Sequence, residues 1–179
     1  LFCILVDMST LKEQYPLLVW EHQSALRQIS APLDRIDKET KQFARHLLTL
    51  MHVYRGVGLA APQLGYNIRM IAVSKRKTDS HHYPITCISE CVMINPVILE
   101  HSTETNTAVE WCLSLPWLQW NVPRYNNIEL VYQDIHHRKH RVSLHGFNAR
   151  IVQHEIDHLD GILYIDKVVW WLIHTKSHQ

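Results

Sequence analysis

The sequence predicts an α+β fold, with short antiparallel β-sheets wrapped around one central helix that carries metal-ligand residues. Three observations predict it. Two long stretches place apolar residues at helical intervals, several short β-branched runs are bounded by turn residues, and few of those runs alternate with helices as a parallel sheet would require. Length and composition agree, since 179 residues, 46% hydrophobic and 20% charged, can bury a core without staples. We therefore expect one domain over 1–179, with peripheral extensions at about 1–30 and 169–179.

The elements follow in order. The apolar start Leu1-Phe2-Cys3-Ile4-Leu5-Val6 lacks the basic segment that opens a secretory signal, and a chain without an initial Met is expected of a trimmed or processed product. Ala31-Pro32-Leu33 reads as extended. Asp37 to about Tyr54 sets Phe43, Leu47, Leu48, Leu50 and Met51 on a helical period, which predicts one long helix. It runs into Gly56-Val57-Gly58-Leu59-Ala60-Ala61-Pro62-Gln63-Leu64-Gly65. Two glycines within three residues, followed by small side chains, suit a loop whose backbone approaches something closely. Met70 to Val73, Val92 to Ile94 and Ile128 to Tyr132 are β-branched runs and read as strands. Asn148 to about Asp160 has Ile151, Val152, Ile156 and Leu159 at helical spacing, with Asn148 the expected N-cap and Gly161 the expected stop. A helix apolar on so many sides is buried, so the His, Glu and Asp on it need partners. The terminal run Val168 to Ile173 is too short to span a membrane; it packs as a helix or strand, or offers its paired tryptophans to a partner.

Charge and cysteine usage exclude several classes. The formal net charge of +1 gives no long-range pull toward nucleic acid, so no specific nucleic-acid partner is expected. Lys75-Arg76-Lys77 and the basic stretch from His136 to Arg141 read as solvated turns between strands, which leaves room for a transient ribosome contact. Four scattered cysteines form no disulfide framework. Cys87 and Cys91, the one close pair, have no further ligands nearby for a second metal site and read as core or loop thiols of a reducing compartment.

His154-Glu155-Ile156-Asp157-His158 narrows the chemistry furthest. Side chains four apart share one helix face, so both imidazoles reach one cation while Glu155 lies beside them to handle a proton of water. A chain with 14 His produces such pairs by accident, but the intervening Glu and the buried helix favour a metal site. The third ligand is not downstream: the position six after His158 is Tyr164, and no Glu follows Glu155. Cys112, in Glu110-Trp111-Cys112-Leu113-Ser114-Leu115-Pro116, is the best upstream candidate. A thiolate with two imidazoles leaves a fourth position open for water, as catalysis requires. Alone, Cys112 would read as a buried structural cysteine.

Taken together, three segments resemble the peptide deformylase family. Its motif Gly-x-Gly-Leu-Ala-Ala-x-Gln is met by Gly56 to Gln63, Glu-Gly-Cys-Leu-Ser by Glu110 to Ser114 except at Trp111, and Gln-His-Glu-x-Asp-His-Leu by Gln153 to Leu159. The likeness extends to Ile94-Asn95-Pro96 and Val122-Pro123-Arg124, and so spans roughly Leu33 to Val168. The resemblance implies a single catalytic domain that removes the formyl group from the amino-terminal methionine of nascent polypeptides and releases formate. It implies Cys112, His154 and His158 as ligands of one divalent ion, with Fe2+ the physiological choice and Zn2+, Ni2+ or Co2+ alternatives that ligand type does not separate. Gln63 and the Leu113 N–H would hold the oxyanion, and Glu155 would accept a proton from water and return it to the leaving amine. Gly56, Val57, Gly58, Trp111 and Ile151 would contact substrate, with Val57 and Ile151 on the wall of the methionine pocket. Glu110 and Arg124 match an ion pair that braces the site. Formyl-methionyl peptides are the implied partners, in a bacterial cytoplasm or a mitochondrial or plastid matrix, since both make formyl-methionine.

Two departures from that pattern bear on substrate. Trp111 stands where the family has glycine, and either fills the cleft or forms an aromatic wall with Trp117 or Trp120. Gln119 stands where the family has Arg. Two rival readings have simple tests. A relative that keeps the metal but has altered or lost peptide specificity, acting as a binding module, would fail on a formyl-Met peptide. A metalloendopeptidase would cut an internal peptide bond and would not need Cys112.

Overall fold

The computed structural model describes residues 8–74 and 90–168. The expectations placed on Leu1 to Val6, Lys75 to Lys77, Cys87 and Val169 to Ile173 lie outside them. In chain order the elements are α1 (Met8–Gln14), α2 (Gln23–Leu26), α3 (Lys38–Val53), β1 (Gly58–Ala60), β2 (Met70–Val73), β3 (Cys91–His101), β4 (Thr105–Cys112), β5 (Leu115–Tyr125), β6 (Asn127–Gln133), β7 (Lys139–His145) and α4 (Gly146–Leu159). Short 3-10 turns occupy Trp20–His22, Ala61–Leu64 and Tyr164–Lys167. One five-stranded sheet has the order β1-β2-β3-β6-β7, and β4-β5 forms a separate two-stranded sheet. All these strand pairs are antiparallel, which is the α+β arrangement the short strands predicted.

Strand β2 shows how the layers form. Its side chains alternate between faces: Met70 and Ala72 cluster with Leu47, Leu50 and Met51 of α3, while Ile71 and Val73 cluster with Ile151, Val152 and Ile156 of α4. With both faces covered, all four residues are buried, so this strand reads as a continuous apolar run. Toward β6 and β7, among the described residues, the α4 side alone is covered. There Ile128, Leu130 and Leu144 point inward, while Arg141 pairs with Glu129 on the other face. A third cluster of Leu26, Cys112, Leu115, Val122, Leu163 and Tyr164 joins the hairpin to the C-terminal turn. Full burial of each such Leu contributes about 2 kcal/mol.

Helix α3 agrees with its prediction to a residue. Asp37 accepts the Thr40 N–H at 2.9 Å and caps the start, and the Tyr54 N–H reaches Leu50 O at 2.8 Å at the end. Ala31 keeps its extended form through a single bridge to Ile68.

Helix α4 differs at its start. It begins at Gly146 with His145 as the cap residue, and Asn148 lies inside the first turn. The reason is β7, which stays paired up to Asn127↔His145, so the chain turns at Gly146, φ +55°, directly from strand to helix. The predicted stop holds. Gly161 has φ +69°, and a Cβ there would lie 2.3 Å from the Arg27 carbonyl oxygen, so only glycine fits.

The segment from Gly56 to Gly65 is more ordered than the loop expected. Gly58–Ala60 pairs with β2 as the edge strand of the larger sheet, and Ala61–Leu64 forms a 3-10 turn. The basic stretch also divides. Asp134 accepts the His136 and Arg138 N–H groups in a turn, as expected, but Lys139 already begins β7.

Candidate metal centre

Three elements converge on one point. Helix α4 is buried at 149–153 and 155–159, with His154 half-buried, and presents His154, Glu155 and His158 on one side. Strand β4 ends at Cys112, and its alternation turns Glu110 and Cys112 inward while Val109 and Trp111 face outward. The turn Leu113-Ser114 follows, then β5 begins with Leu115 opposite Cys112. Cys112 Sγ lies 3.2 Å from His158 Nε2, and the ligand atoms of Cys112, His154 and His158 all fall within 4.8 Å of one another. The predicted ligand set is therefore assembled. Among the described residues this is the one such group of three or more His, Cys, Asp or Glu.

The donor set fits a borderline-soft divalent ion: one sulfur and two imidazole nitrogens from the protein, with an open cleft on the remaining side. Glu155 Oε2 is buried with no hydrogen-bond partner among the described residues, and such an atom is suited to one from a ligand.

Glu155 is fixed by strand β1. A Cβ on Gly58 would fall 2.2 Å from Glu155 Oε1, so the absence of a side chain at 58 is what lets the carboxylate lie against the strand. Burial raises the Glu155 carboxyl to about 7, a value suited to taking up and releasing a proton near neutrality. Burial opposes an imidazolium on His154, yet bonds to the Cys112 thiol and the Glu110 carboxylate outweigh it and raise the group to about 10. A cation among the ligand atoms would stand in for that proton. His158 is pushed well below its ordinary value by burial and by the positive charge of His154.

Gln63 is oriented from both ends. Its Oε1 accepts the Ala60 N–H at 2.8 Å, which directs Nε2 to Ser114 Oγ at 3.1 Å and toward Cys112 Sγ at 3.5 Å. The amide donor thus faces the ligand cluster.

A buried charge network supports the ligands. Arg124 donates twice to Glu110, from Nε and Nη2, both at 2.9 Å, and Glu110 Oε2 meets His154 Nδ1 at 2.9 Å. Burial alone would favour a neutral Glu110, but Arg124 and His154 hold its carboxyl well below the usual range. Arg124 also bonds Asp157, which accepts Lys167 Nζ at 2.7 Å. The Glu110–Arg124 pair was expected; Arg150, Asp157 and Ser114 were not assigned roles. Arg150 did carry a signal, a charged residue four before His154 on a helix read as buried, but nothing local named its partner.

An open cleft lies over the centre. Gly56, Val57 and Gly58 line one side, Val109, Trp111 and Leu113 the other, and Phe147 and Ile151 reach in from α4. Every expected substrate-contacting residue lies on it, and Phe147 and Val109 are additions. Trp111, 46% exposed, stands on the wall of an open cleft and does not fill it. No wall forms with Trp117, which is 98% exposed at φ +76°. It belongs to the residues that β5 inserts between the pairs Glu110↔Trp120 and Cys112↔Leu115. Trp120 packs against the cluster of Leu115, Val122 and Leu163. Gln119 is exposed in the same inserted segment.

Two imidazoles, a thiol and a buried carboxylate at the floor of an open cleft define a metal-dependent hydrolase. A family model described as polypeptide deformylase matches residues 15–171. A peptide deformylase of Prochlorococcus marinus (strain AS9601) is 37% identical over 143 residues, 80% of this chain and 68% of the relative. One from Orientia tsutsugamushi (strain Boryong) is 37% identical over 152 residues, 83% and 84% of the two chains. The crystal structure of a class I type b peptide deformylase from Acinetobacter baumannii, bound to Met-Ala-Ser, matches with a TM-score of 0.77 and 34% identity, over 86% of this chain and 97% of that one. The chain belongs to the peptide deformylase family, enzymes that use a metal ion to remove the N-formyl group from nascent peptides. No helix among the described residues is long and apolar enough to cross a membrane.

Proposed function

We propose that Cys112, His154 and His158 hold a single divalent ion, Fe2+ in the cell, and that the cleft above them receives the formyl-methionyl end of a peptide. One observation carries the reading: three ligand atoms meet within 4.8 Å, beside a buried carboxylate whose Oε2 has no partner among the described residues. An ion bound there would polarise the formyl carbonyl and lower the pKa of a water.

The chain's own residues do the rest. Glu155 takes a proton from the water as its oxygen adds to the formyl carbon, and delivers it to the amine nitrogen as the C–N bond breaks. A carboxyl near 7 suits both transfers. The products are formate and a peptide with a free amino terminus. As the formyl oxygen gains charge it accepts hydrogen bonds from Gln63 Nε2 and the Leu113 N–H. Donors fixed in advance at such a point contribute about 3 kcal/mol each, and the Ala60 bond to Gln63 Oε1 is what fixes this one. The methionine side chain packs among Val57, Phe147 and Ile151.

The peptide backbone lies between the Gly56 to Gly58 strand edge and Trp111, where an extended chain can add to an unpaired edge. Such a substrate implies a compartment that makes formyl-methionine and a transient contact with the ribosome that supplies it.

The test is formate release from formyl-Met-Ala-Ser, with metal content determined on the same sample. One ion per chain and formate produced in step with free amine are expected. A fully metal-loaded protein that releases no formate would reject the reading, and cleavage at an internal bond would replace it with an endopeptidase.

A further inference from the structure

Arg150 is the polar side chain of the cleft that the reaction leaves without a task. It lies on α4 one turn before His154 and is 4% exposed. Its Nη1 donates to Glu110 Oε1 at 2.5 Å and to the Val122 carbonyl at 2.8 Å. Its Nη2 donates to the Asn106 carbonyl at 2.8 Å and to the Asn106 side-chain oxygen. One guanidinium thus ties the ligand helix to both strands of the hairpin that carries Cys112. With both terminal nitrogens committed to protein acceptors, Arg150 is poorly placed to bind a substrate carboxylate.

Its carboxylate partner is crowded. Oε1 of Glu110 receives Arg150 Nη1 and Arg124 Nε, while Oε2 receives Arg124 Nη2 and faces His154 Nδ1. Two guanidiniums grip this carboxylate, one anchored to Asp157 and the other to strand carbonyls at the cleft. A carboxylate so held cannot rotate, and it keeps a proton on Nδ1 of His154 so that Nε2 offers its lone pair to the centre.

We propose that Arg150 is a positioning residue for the metal centre: acting through Glu110, it fixes the His154 ring and the seat of the ligand helix against Cys112. The proposal rests on the metal-centre reading above. It predicts that ion affinity, and not only stability, depends on a side chain that touches no ligand atom.

The test titrates Zn2+ into the metal-stripped parent and Arg150→Met against a chromophoric chelator, and records the Co2+ absorption spectrum and thermal midpoint of each. The variant should bind about tenfold or more weakly, the usual scale for losing a group that orients a ligand, with a shifted Co2+ spectrum. A lower midpoint with parental affinity and spectrum would mean that Arg150 merely holds the fold, and the proposal falls. If Arg150→Met does not fold, Arg150→Lys decides, since a lysine keeps the charge but cannot reach Glu110, Val122 and Asn106 together. Weakened binding by that variant supports the proposal and parental binding overturns it. Should the parent itself bind no ion, the metal-centre reading fails first and takes this inference with it.

Discussion

Helix α4 and the β4–β5 hairpin supply the centre from opposite sides, under opposite constraints. On α4 most side chains are buried, including Arg150, Glu155, Asp157 and His158; Arg150 and Asp157 answer to specific charged neighbours, while Glu155 Oε2 and His158 Nδ1 have no partner among the described residues. The hairpin is two-faced. Glu110, Cys112, Val122 and Arg124 turn inward, whereas Val109, Trp111 and Trp117 are 56%, 46% and 98% exposed. Both departures from the deformylase pattern, Trp111 and Gln119, fall on the exposed side of the hairpin. On the helix, substitution of a buried charge or its partner strands a buried polar group, while the outer hairpin faces the cleft and solvent, where substitution is tolerated.

That contrast can be broken most sharply at the ligands. Cys112→Ser and His154→Ala, one from each element, should both abolish tight metal binding and formate release, because each removes one of three protein donors. Full metal by elemental analysis in either variant would reject the ligand set. On the helix, Glu155→Gln should keep the ion and lower kcat about a thousandfold, since an amide cannot accept the water proton. Turnover within tenfold of the parent, with metal confirmed, would remove Glu155 from the reaction.

Gly58→Ala tests the strand beneath that carboxylate. The new Cβ would sit 2.2 Å from Glu155 Oε1, so the carboxylate must move, and kcat should drop about a hundredfold with metal retained. A parental kcat would show that Glu155 needs no such placement.

The outer hairpin should respond differently. Trp111→Gly should leave metal content unchanged and shift KM, or the preference for residues after methionine, by about tenfold, equivalent to about 1.4 kcal/mol. Identical kinetics across a panel of formyl peptides would reduce Trp111 to packing. Trp117→Gly should be the mildest. It relieves a left-handed conformation that costs a non-glycine residue about 1–2 kcal/mol, against about 0.5–1 kcal/mol of added chain entropy in the unfolded state. A rise of about 2 °C in the melting midpoint with unchanged kinetics is expected. A loss of activity would bring Trp117 into substrate binding.

Legibility in the sequence followed the range of the interaction involved. Helices α3 and α4, strand β2 and the His154–His158 pair could be read because their signals are local: apolar period, capping and i, i+4 spacing lie within a few residues, whereas Cys112 carries no such signal and entered through the deformylase motif pattern. Strands β4 and β5 could not: most of β4 is exposed and shows no apolar alternation, β5 is broken by the inserted residues around Pro116 and Trp117, and β7 hid behind Lys139, His140 and Arg141. The N-terminus of α4 was misplaced because a pairing between His145 and Asn127, not a capping side chain, decides where the helix begins.

The sequence by itself determined the chemistry, since the side-chain types of Cys112, His154, Glu155 and His158 set what the centre can bind and which proton can move. Only the tertiary structure decided how that chemistry is held. The carboxylate of Glu155 is placed by a missing Cβ on a strand almost a hundred residues away, and His154 by a carboxylate that Arg124 and Arg150 clamp from β5 and α4. These contacts join residues distant in the chain, and no local pattern encodes them, because they arise when sheet pairing and helix packing bring the two elements together.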